Sequence, residues 1–397
     1  MHLESGQLME HLGQRSNDLP KYLVCFSHLR WDFVFQRPQH LLTRLAKSTN
    51  IFYIEEPVII ASDKLPHYLF QERGDQITLI IPQLPQGLNH IDSIAMQEQL
   101  FDDFMTEYEI KDYGFWYYTP MALEFSRKYM PQLTVFDCMD ELSAFKFAPE
   151  SLKELEKELL KKANIVFTGG HSLYEAKKDQ HDHIYAFPSS IDKEHFAKAR
   201  TVKNTIKIQD GNRRPKLGFY GVIDERFDID LIKGIADIHP EWDIMLVGPV
   251  VKIDPQTLPL KHNIHYIGAK TYAELPELMA EWDIALIPFL LNESTRFISP
   301  TKTPEYLAAG LLVISTAIRD VINPYSKLGL VSIGNTAADF VMLAEKELQR
   351  TDKREWQQKV DQFLANISWD ITCDQMSQLM IATLNPAPVF HSTLVQS

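Results

Sequence analysis

The sequence predicts an α/β protein built from two Rossmann-like domains that face each other across a cleft. Three observations lead there. Short runs of β-branched and aromatic residues alternate with amphipathic helical stretches, as in a parallel sheet covered on both faces. The alternation halts at a polar stretch near the middle of the chain and then begins again. A length of 397 residues is too great for one ordinary core and suits two domains of roughly 150–200 residues each.

In the first half, YLVCFS (22–27), IFYIEE (51–56), ITLIIP (77–82), FWYYT (115–119), LTVFDC (133–138), NIVFTG (164–169) and IYAFP (184–188) read as strands. QRPQHLLTRLAK and SLKELEKELLKKA read as helices between them. The polar stretch KARTVKNTIKIQDGNRRP (198–215) reads as a linker. After it, KLGFYG (216–221), DIMLVG (243–248), NIHYIG (263–268), DIALIP (283–288), LLVIST (311–316) and GLVSI (329–333) repeat the strand pattern. FDIDLIKGIADIH and TYAELPELMAEW supply helices, and SWDITCDQMSQLMIATL (368–384) reads as a last helix that crosses back to the first domain. The expected division is an extension at 1–20, a first domain at 21–197, the linker, a second domain at 216–367, and a crossing helix with a polar tail at 368–397. Ligands of such open sheets bind beyond the C-terminal ends of the strands.

A composition of 45% hydrophobic and 23% charged residues is that of a globular protein without disordered bias. The formal net charge of −13 argues against nucleic acid as the main partner, because phosphate backbones need a basic face. A local basic or amphipathic patch for docking on a membrane stays open. Cys25, Cys138 and Cys373 are widely spaced without a CxxC and read as small buried hydrophobes in a reducing cytoplasm. The first residues lack the basic start and apolar run of a signal peptide, and no apolar stretch approaches the ~20 residues of a membrane helix. A cytoplasmic protein is the expectation.

Several chemistries lack their motif. No GxGxxG, GxxxxGK[ST] or GxSxG occurs, which disfavours a dinucleotide site, a P-loop and a serine-hydrolase elbow. HDH (181–183) has no further metal ligands nearby and reads as solvated. Asp228 and Asp230 form a DxD, but at a helix start, where acids are expected for dipole reasons. No metal or cofactor is expected.

The positive signals lie at strand ends. In SPTKTPEYLAAG (299–310) a helix must begin between Ser299 and Thr303, since Pro304 is tolerated only in a first turn. Ser299, Thr301 or Thr303 can cap it, its free N–H groups suit an anion, and Lys302 adds a cation. Glu305, one turn in, can accept hydrogen bonds from the hydroxyls of whatever carries a phosphate. The alternative is a capped helix with a surface lysine and glutamate. In GFYGVIDERFD (218–228), Gly221 permits close backbone approach and Arg226 either binds phosphate or pairs with Asp224 or Asp228. A third strand-end loop holds Gly268, Lys270 and Tyr272. Three loops on one rim favour a nucleoside-diphosphate site. In the first half, SHLRWDFVFQRPQHLL (27–42) is unusually polar and aromatic for a βα loop. Trp31 offers a stacking platform, His28 and Asp32 are acid–base or hydroxyl-binding candidates, and Arg30, Gln36, Arg37 and His40 complete the set. A loop tied by its own salt bridges is the bland alternative. Asp137, Asp140 and Glu141 end a further strand, and His171 follows the glycines of TGGHSL.

Taken together these motifs resemble the GT-B-fold glycosyltransferases, and within them the retaining group-1 (family four) enzymes of bacterial surface-polysaccharide and teichuronic-acid-type synthesis. The resemblance runs from WDFVFQRPQHLL through VFDCMDELSAF, FPSSIDKEHF and LGFYGVIDERFD to the closing SWD helix, with SPTKTPEYLAAG the most specific block. It implies a nucleotide-sugar donor on the second domain and a glycan or lipid-linked acceptor over the first, without metal. Glu305 would hold the ribose. Ser299, Thr301 and Lys302 would meet the diphosphate, Arg226 would neutralise the leaving group, and the Gly268–Tyr272 loop would lie by the base. The acceptor would enter near His28–Gln36. Two departures stand out. Many relatives carry an acid eight positions before Glu305, where this chain has Phe297, with Asn292 and Glu293 upstream. Many also have a histidine where this chain has DCMDE, so that Asp140 or Glu141 would contact the donor sugar. The rival readings are a nucleotide-sugar epimerase and a non-catalytic glycan-binding subunit of a polysaccharide assembly complex. The base is not named by the sequence; uridine is taken first on frequency among such donors, guanosine next.

Overall fold

The computed structural model describes residues 18–74, 76–206 and 213–386. The first seventeen residues of the expected extension, the middle of the expected linker and most of the tail lie outside the described residues.

Among the described residues the first domain is a nine-stranded sheet: β1 (Tyr22–Phe26), β2 (Asn50–Ile54), β3 (Val58–Ile60), β4 (His67–Glu72), β5 (Ile77–Pro85), β6 (Tyr113–Tyr117), β7 (Leu133–Cys138), β8 (Ile165–Thr168) and β9 (Ile184–Ala186). The order is β3-β5-β2-β1-β6-β7-β8-β9. All neighbours are parallel except β4, which runs antiparallel on β5. Every residue of β7 is buried, the signature of a central strand covered on both faces. The short β3 and the β4 ribbon escape the sequence reading because their side chains are largely exposed, so no apolar run marks them.

The second sheet contains β10 (Lys216–Tyr220), β11 (Asp243–Val247), β12 (Ile264–Gly268), β13 (Ile284–Ile287), β14 (Leu312–Ser315) and β15 (Ser332–Ile333). It is wholly parallel, in the order β12-β11-β10-β13-β14-β15. Each sheet therefore has a switch point, between β1 and β6 in the first and between β10 and β13 in the second. There successive crossovers leave toward opposite sides and a crevice opens.

One stretch departs from the expected division. Residues 198–206, read as the start of a linker, belong to the helix Lys193–Ile206. Its Phe196 and Ala199 are fully buried in the second domain's core. Polar residues on its outer face hid the buried stripe. The helix Trp369–Leu384 returns to the first domain, where Trp369, Cys373, Met376 and Met380 join one face of the first sheet. His40 stacks on Trp369 at 4.6 Å, and Arg44 pairs with Asp370 at 2.9 Å.

One buried ion pair ties the first crossover to the sheet. Arg37, at the start of the helix Arg37–Leu45, is 5% exposed and grips the fully buried Asp137 of β7 through Nε and Nη2. Its Nη1 donates to the Phe187 carbonyl at 2.7 Å. Asp137 therefore serves this tie and does not face the cleft. Removing one partner strands a buried charge, so Asp137→Ala is expected to cost about 3–5 kcal/mol, read as a lowered denaturant midpoint.

Candidate functional site

The site grows from the two switch points. After β10 the backbone turns at Gly221 with φ +137°, a conformation that side chains rarely adopt. A Cβ there would also stand 2.7 Å from the ammonium of Lys302. The lysine opens the helix Lys302–Ala308 and lies across this glycine. Its Nζ is 5.6, 5.9 and 5.5 Å from the ring centroids of Phe219, Tyr220 and Phe289. Among the described residues it has no ion pair. Burial, then the neighbouring Arg226, pull its pKa down to about 8, against the opposing pull of Asp224 and Asp140.

Arg226 binds Asp224, with Nε 3.1 Å and Nη2 2.6 Å from the carboxylate. This is the pairing that the sequence left open. Asp228 instead caps the next helix by accepting the Leu231 N–H at 2.9 Å. The guanidinium lies 5.2 Å over the ring of Phe145 from the other domain. Asp140, after β7, faces the same cations across the cleft. Its carboxyl has no hydrogen bond or ion pair among the described residues. Burial raises its pKa, and Arg226 and Arg37 oppose that rise.

The remaining residues of the SPTKTPEYLAAG block divide. Glu305 is 6% exposed and accepts the Tyr220 hydroxyl; burial raises its pKa well above the usual carboxylate range. Thr301 occupies the N-cap position without capping through its side chain, and the hydroxyl of Thr303 is buried without a partner. Ser299 is not on the helix. Its carbonyl accepts Ser189 Oγ of the first domain at 3.0 Å, and its Cβ lies 2.8 Å from where a side chain on Gly170 would begin. It is a domain contact. The helix spans only seven residues, so the two cations outweigh its dipole.

Between the domains lies a cleft of about 770 Å³. His28, Arg30, Gln36, Asp140 and Arg226 all line it. His28 presents a buried Nδ1 without a partner; burial and then Lys252 lower its pKa to about 4, so the ring is neutral at physiological pH. Arg30 is held by Glu55 at 2.9 Å. The backbone N–H of Gln36 donates to Gln39 Oε1 at 3.0 Å.

Other expected site residues lie elsewhere. Trp31 is 9% exposed, edge-on to Tyr53, and presents no face for stacking. Asp32 points outward and pairs with Arg73. Glu141 pairs at 2.8 Å with Lys177, which also holds Glu156. His171 lines a separate 580 Å³ cavity with Arg319, Asp320 and Lys327. On the third loop, Gly268 sits over open space and Lys270 pairs with Glu274. Tyr272 leaves the rim to stack on His195 at 4.3 Å and to meet Phe35 at 4.6 Å. Trp31, Asp32, Glu141, Lys270 and Tyr272 suited a ligand by residue type, but a protein partner claimed each of them. Phe297, where an acid was expected, packs on the first domain's core. Glu293 is exposed beside Arg296, and Asn292 ties its own turn. The sequence reading missed Lys252 and Phe145, which line the cleft. Lys252 follows β11, next to β10 in the sheet, and that position was the available signal.

The two-domain arrangement is that of many solved structures. Sucrose-phosphate synthase from Thermosynechococcus elongatus superposes with a TM-score of 0.67 at 15% identity, over 90% of this chain and 98% of that one. Anabaena Alr3699/HepE, solved in complex with UDP and glucose, gives 0.62 at 14% identity, over 90% and 98%. The chain has the GT-B fold. No family model matches the sequence. A curated relative, "Putative teichuronic acid biosynthesis glycosyltransferase TuaH" of Bacillus subtilis (strain 168), is 23% identical over 250 residues, covering 59% of this chain and 63% of the relative. The match thus spans less than two thirds of that relative's length.

Within this GT-B chain no described group of three His, Cys, Asp or Glu side chains is placed to hold a metal, and no described helix is long and apolar enough to cross a membrane. The depressed pKa of Lys302 gives a direct test of the cluster. Pulse acylation of the native protein across pH is expected to modify Lys302 with a midpoint near 8. Exposed lysines should titrate near ~10.4, as read by peptide mass spectrometry.

Proposed function

We propose that the protein is a glycosyltransferase that moves a sugar from a nucleoside-diphosphate sugar to a glycan or lipid-linked acceptor in cell-surface polysaccharide synthesis. The observation that carries this reading is the pair of cations at the second switch point. Lys302, without an ion pair among the described residues, and Arg226, paired with Asp224, are close enough at the second switch point to feel each other's charge, and Arg226 lines the cleft. Such a pair suits a dianionic diphosphate. The TuaH name and the UDP and glucose held by the Anabaena protein support the same reading, as does the resemblance of the SPTKTPEYLAAG block.

In the reaction the bond between the anomeric carbon and the diphosphate oxygen breaks. Negative charge builds on the diphosphate while the sugar becomes oxocarbenium-like. Lys302 and Arg226 would stabilise that departing charge without reorganising. Glu305 would accept the ribose hydroxyls in exchange for the Tyr220 hydroxyl. Asp140, unpaired and opposite the cations, would meet the transferred sugar, and His28 Nδ1 would accept an acceptor hydroxyl. Thr301 and the backbone at Gly221 would border the diphosphate, and Gly268 with Lys270 the base. UDP is the first donor base to try, GDP the second. Retention of anomeric configuration and independence of metal belong to this reading through the family resemblance. A cytoplasmic location with peripheral association at the inner face of the membrane completes this reading.

Phe297 favours one alternative, a non-catalytic glycan-binding subunit of a polysaccharide assembly complex, because it stands where a sugar-contacting acid was expected. Absence of nucleoside-diphosphate binding in titration calorimetry would select that alternative.

Two measurements test the reading. A thermal-shift panel of UDP-, GDP-, ADP- and dTDP-sugars is expected to raise the melting temperature with one base; a ligand at 100 times its Kd stabilises by about 2.7 kcal/mol. Lys302→Ala and Arg226→Ala are each expected to lower donor turnover about 10²–10³-fold, the first with melting behaviour retained and the second with a lowered melting temperature because it strands the buried Asp224. Near-native turnover in both variants would overturn the assignment. Lys302 also makes donor affinity pH-dependent. The ammonium is charged below pH 8 and neutral above, so affinity is expected to fall as pH rises through about 8, and titration calorimetry of Lys302→Met should lose that dependence.

A further inference from the structure

One buried ionic cluster lines neither the cleft nor the second cavity and takes no part in the chemistry above. Lys177, the last residue of the helix His171–Lys177, is 4% exposed. Its ammonium lies 2.8 Å from Glu141 and also holds Glu156, which is buried on the helix Leu152–Lys162. Lysine is almost never fully buried unless it is paired. Buried ion pairs are weak evidence for stability, because apolar side chains of similar volume often serve as well. What their directional bonds do set is where each partner sits.

Here one partner belongs to the loop that carries Asp140. Three bonds converge on Glu141. Its Oε2 accepts from Lys177, its Oε1 accepts the Ser143 hydroxyl at 2.7 Å, and its backbone carbonyl accepts the Ala144 N–H at 2.9 Å. The turn Leu142–Ala144 therefore closes on Glu141. The flanking side chains face the other way: Asp140, Leu142 and Phe145 line the cleft, whereas Glu141 and Ser143 do not. Phe145 reaches the second domain, 5.2 Å from the Arg226 guanidinium. The Asp140 carboxyl has no hydrogen bond or ion pair among the described residues, so its own side chain is not what holds it there. Its place is set by the backbone on either side. Before it, β7 ends, and the Cys138 thiol donates to the Asp140 carbonyl at 3.6 Å. After it comes Glu141, fastened from behind by Lys177.

We propose that Lys177 is a positioning residue for Asp140. By holding Glu141 against the buried Glu156, it fixes the Asp140–Phe145 loop so that the Asp140 carboxylate faces Lys302 and Arg226. The inference rests on the glycosyl-transfer reading only in giving Asp140 a sugar to meet; the placement itself is independent of it.

Lys302 reports where Asp140 lies, because Asp140 supports its proton. Glu141→Ala leaves Lys177 paired with Glu156, so folding is retained. Lys177→Met with Glu156→Leu exchanges the inner pair for apolar side chains, a change that folds tolerate, and leaves Glu141, 18% exposed, to Ser143 alone. In both proteins pulse acylation of Lys302 is expected to show a midpoint below about 8, moved in the same direction as in Asp140→Asn. Adding Asp140→Asn to either is expected to give less than the sum of the separate shifts, as for residues that act together. Glu141→Gln loses the same charge but keeps both acceptor bonds, and is expected to restore the wild-type midpoint. In donor consumption, kcat is expected to fall in Glu141→Ala and in the Lys177 variant, with KM for the donor unchanged. An unmoved Lys302 midpoint in both, or equal shifts in Glu141→Gln and Glu141→Ala, would overturn the proposal. If the midpoints move as described while the wild-type protein consumes no nucleotide sugar, the glycosyl-transfer reading falls and the positioning role of Lys177 stands.

Discussion

Two positive charges held together away from bulk water set the terms for the rest of this site. Lys302 and Arg226 repel each other, and a low-dielectric surrounding strengthens that repulsion. Burial first, and then that repulsion, lower the proton affinity of the Lys302 ammonium. Asp224 fixes Arg226 from its own loop, whereas Asp140 contributes from the other domain. The aromatic rings of Phe219, Tyr220 and Phe289 surround the ammonium, and the missing Cβ of Gly221 leaves room for it. An arrangement that costs free energy when empty is one that an anion relieves.

Because Asp140 and Phe145 approach these cations from the first domain, the cluster exists only while the domains keep their relative placement. Several contacts hold it. Phe297 packs on the first domain's core, Ser299 accepts Ser189, and Asp320 accepts the Ser172 N–H at 3.0 Å. Tyr272 stacks between His195 and Phe35, and the last helix returns to the first sheet. The stretch from Phe297 to Glu305 thus docks the first domain at its front end and carries Lys302 and Glu305 at its back. The phenylalanine that stands where an acid was expected serves that docking.

Much of the architecture was legible in the chain. Strands such as Leu133–Cys138 are buried on both faces, so each is a continuous apolar run that local inspection can find. The antiparallel ribbon His67–Glu72 was not, because an exposed edge strand carries no such run. Lys302 and Glu305 stood out because a helix start sets their spacing over three residues. Trp31, Asp32, Glu141, His171 and Tyr272 had suitable chemistry at strand ends, yet Tyr53, Arg73, Lys177, a second cavity and His195 respectively determine where they lie. Those partners are tens of residues away in sequence, beyond any local pattern.

By itself, then, the sequence determined which segments become strands, where the pattern restarts, and which helix start carries a lysine and a glutamate. All three follow from side-chain periodicity and backbone geometry within a few residues. The tertiary structure alone decided that Arg226 would take Asp224, that Asp140 would face the cations without a partner among the described residues, and that Lys252 and Phe145 would meet across one cleft. Charge pairing and burial depend on distances through space. The switch points of two separate sheets set those distances here, and neither sheet is complete in any local stretch of chain.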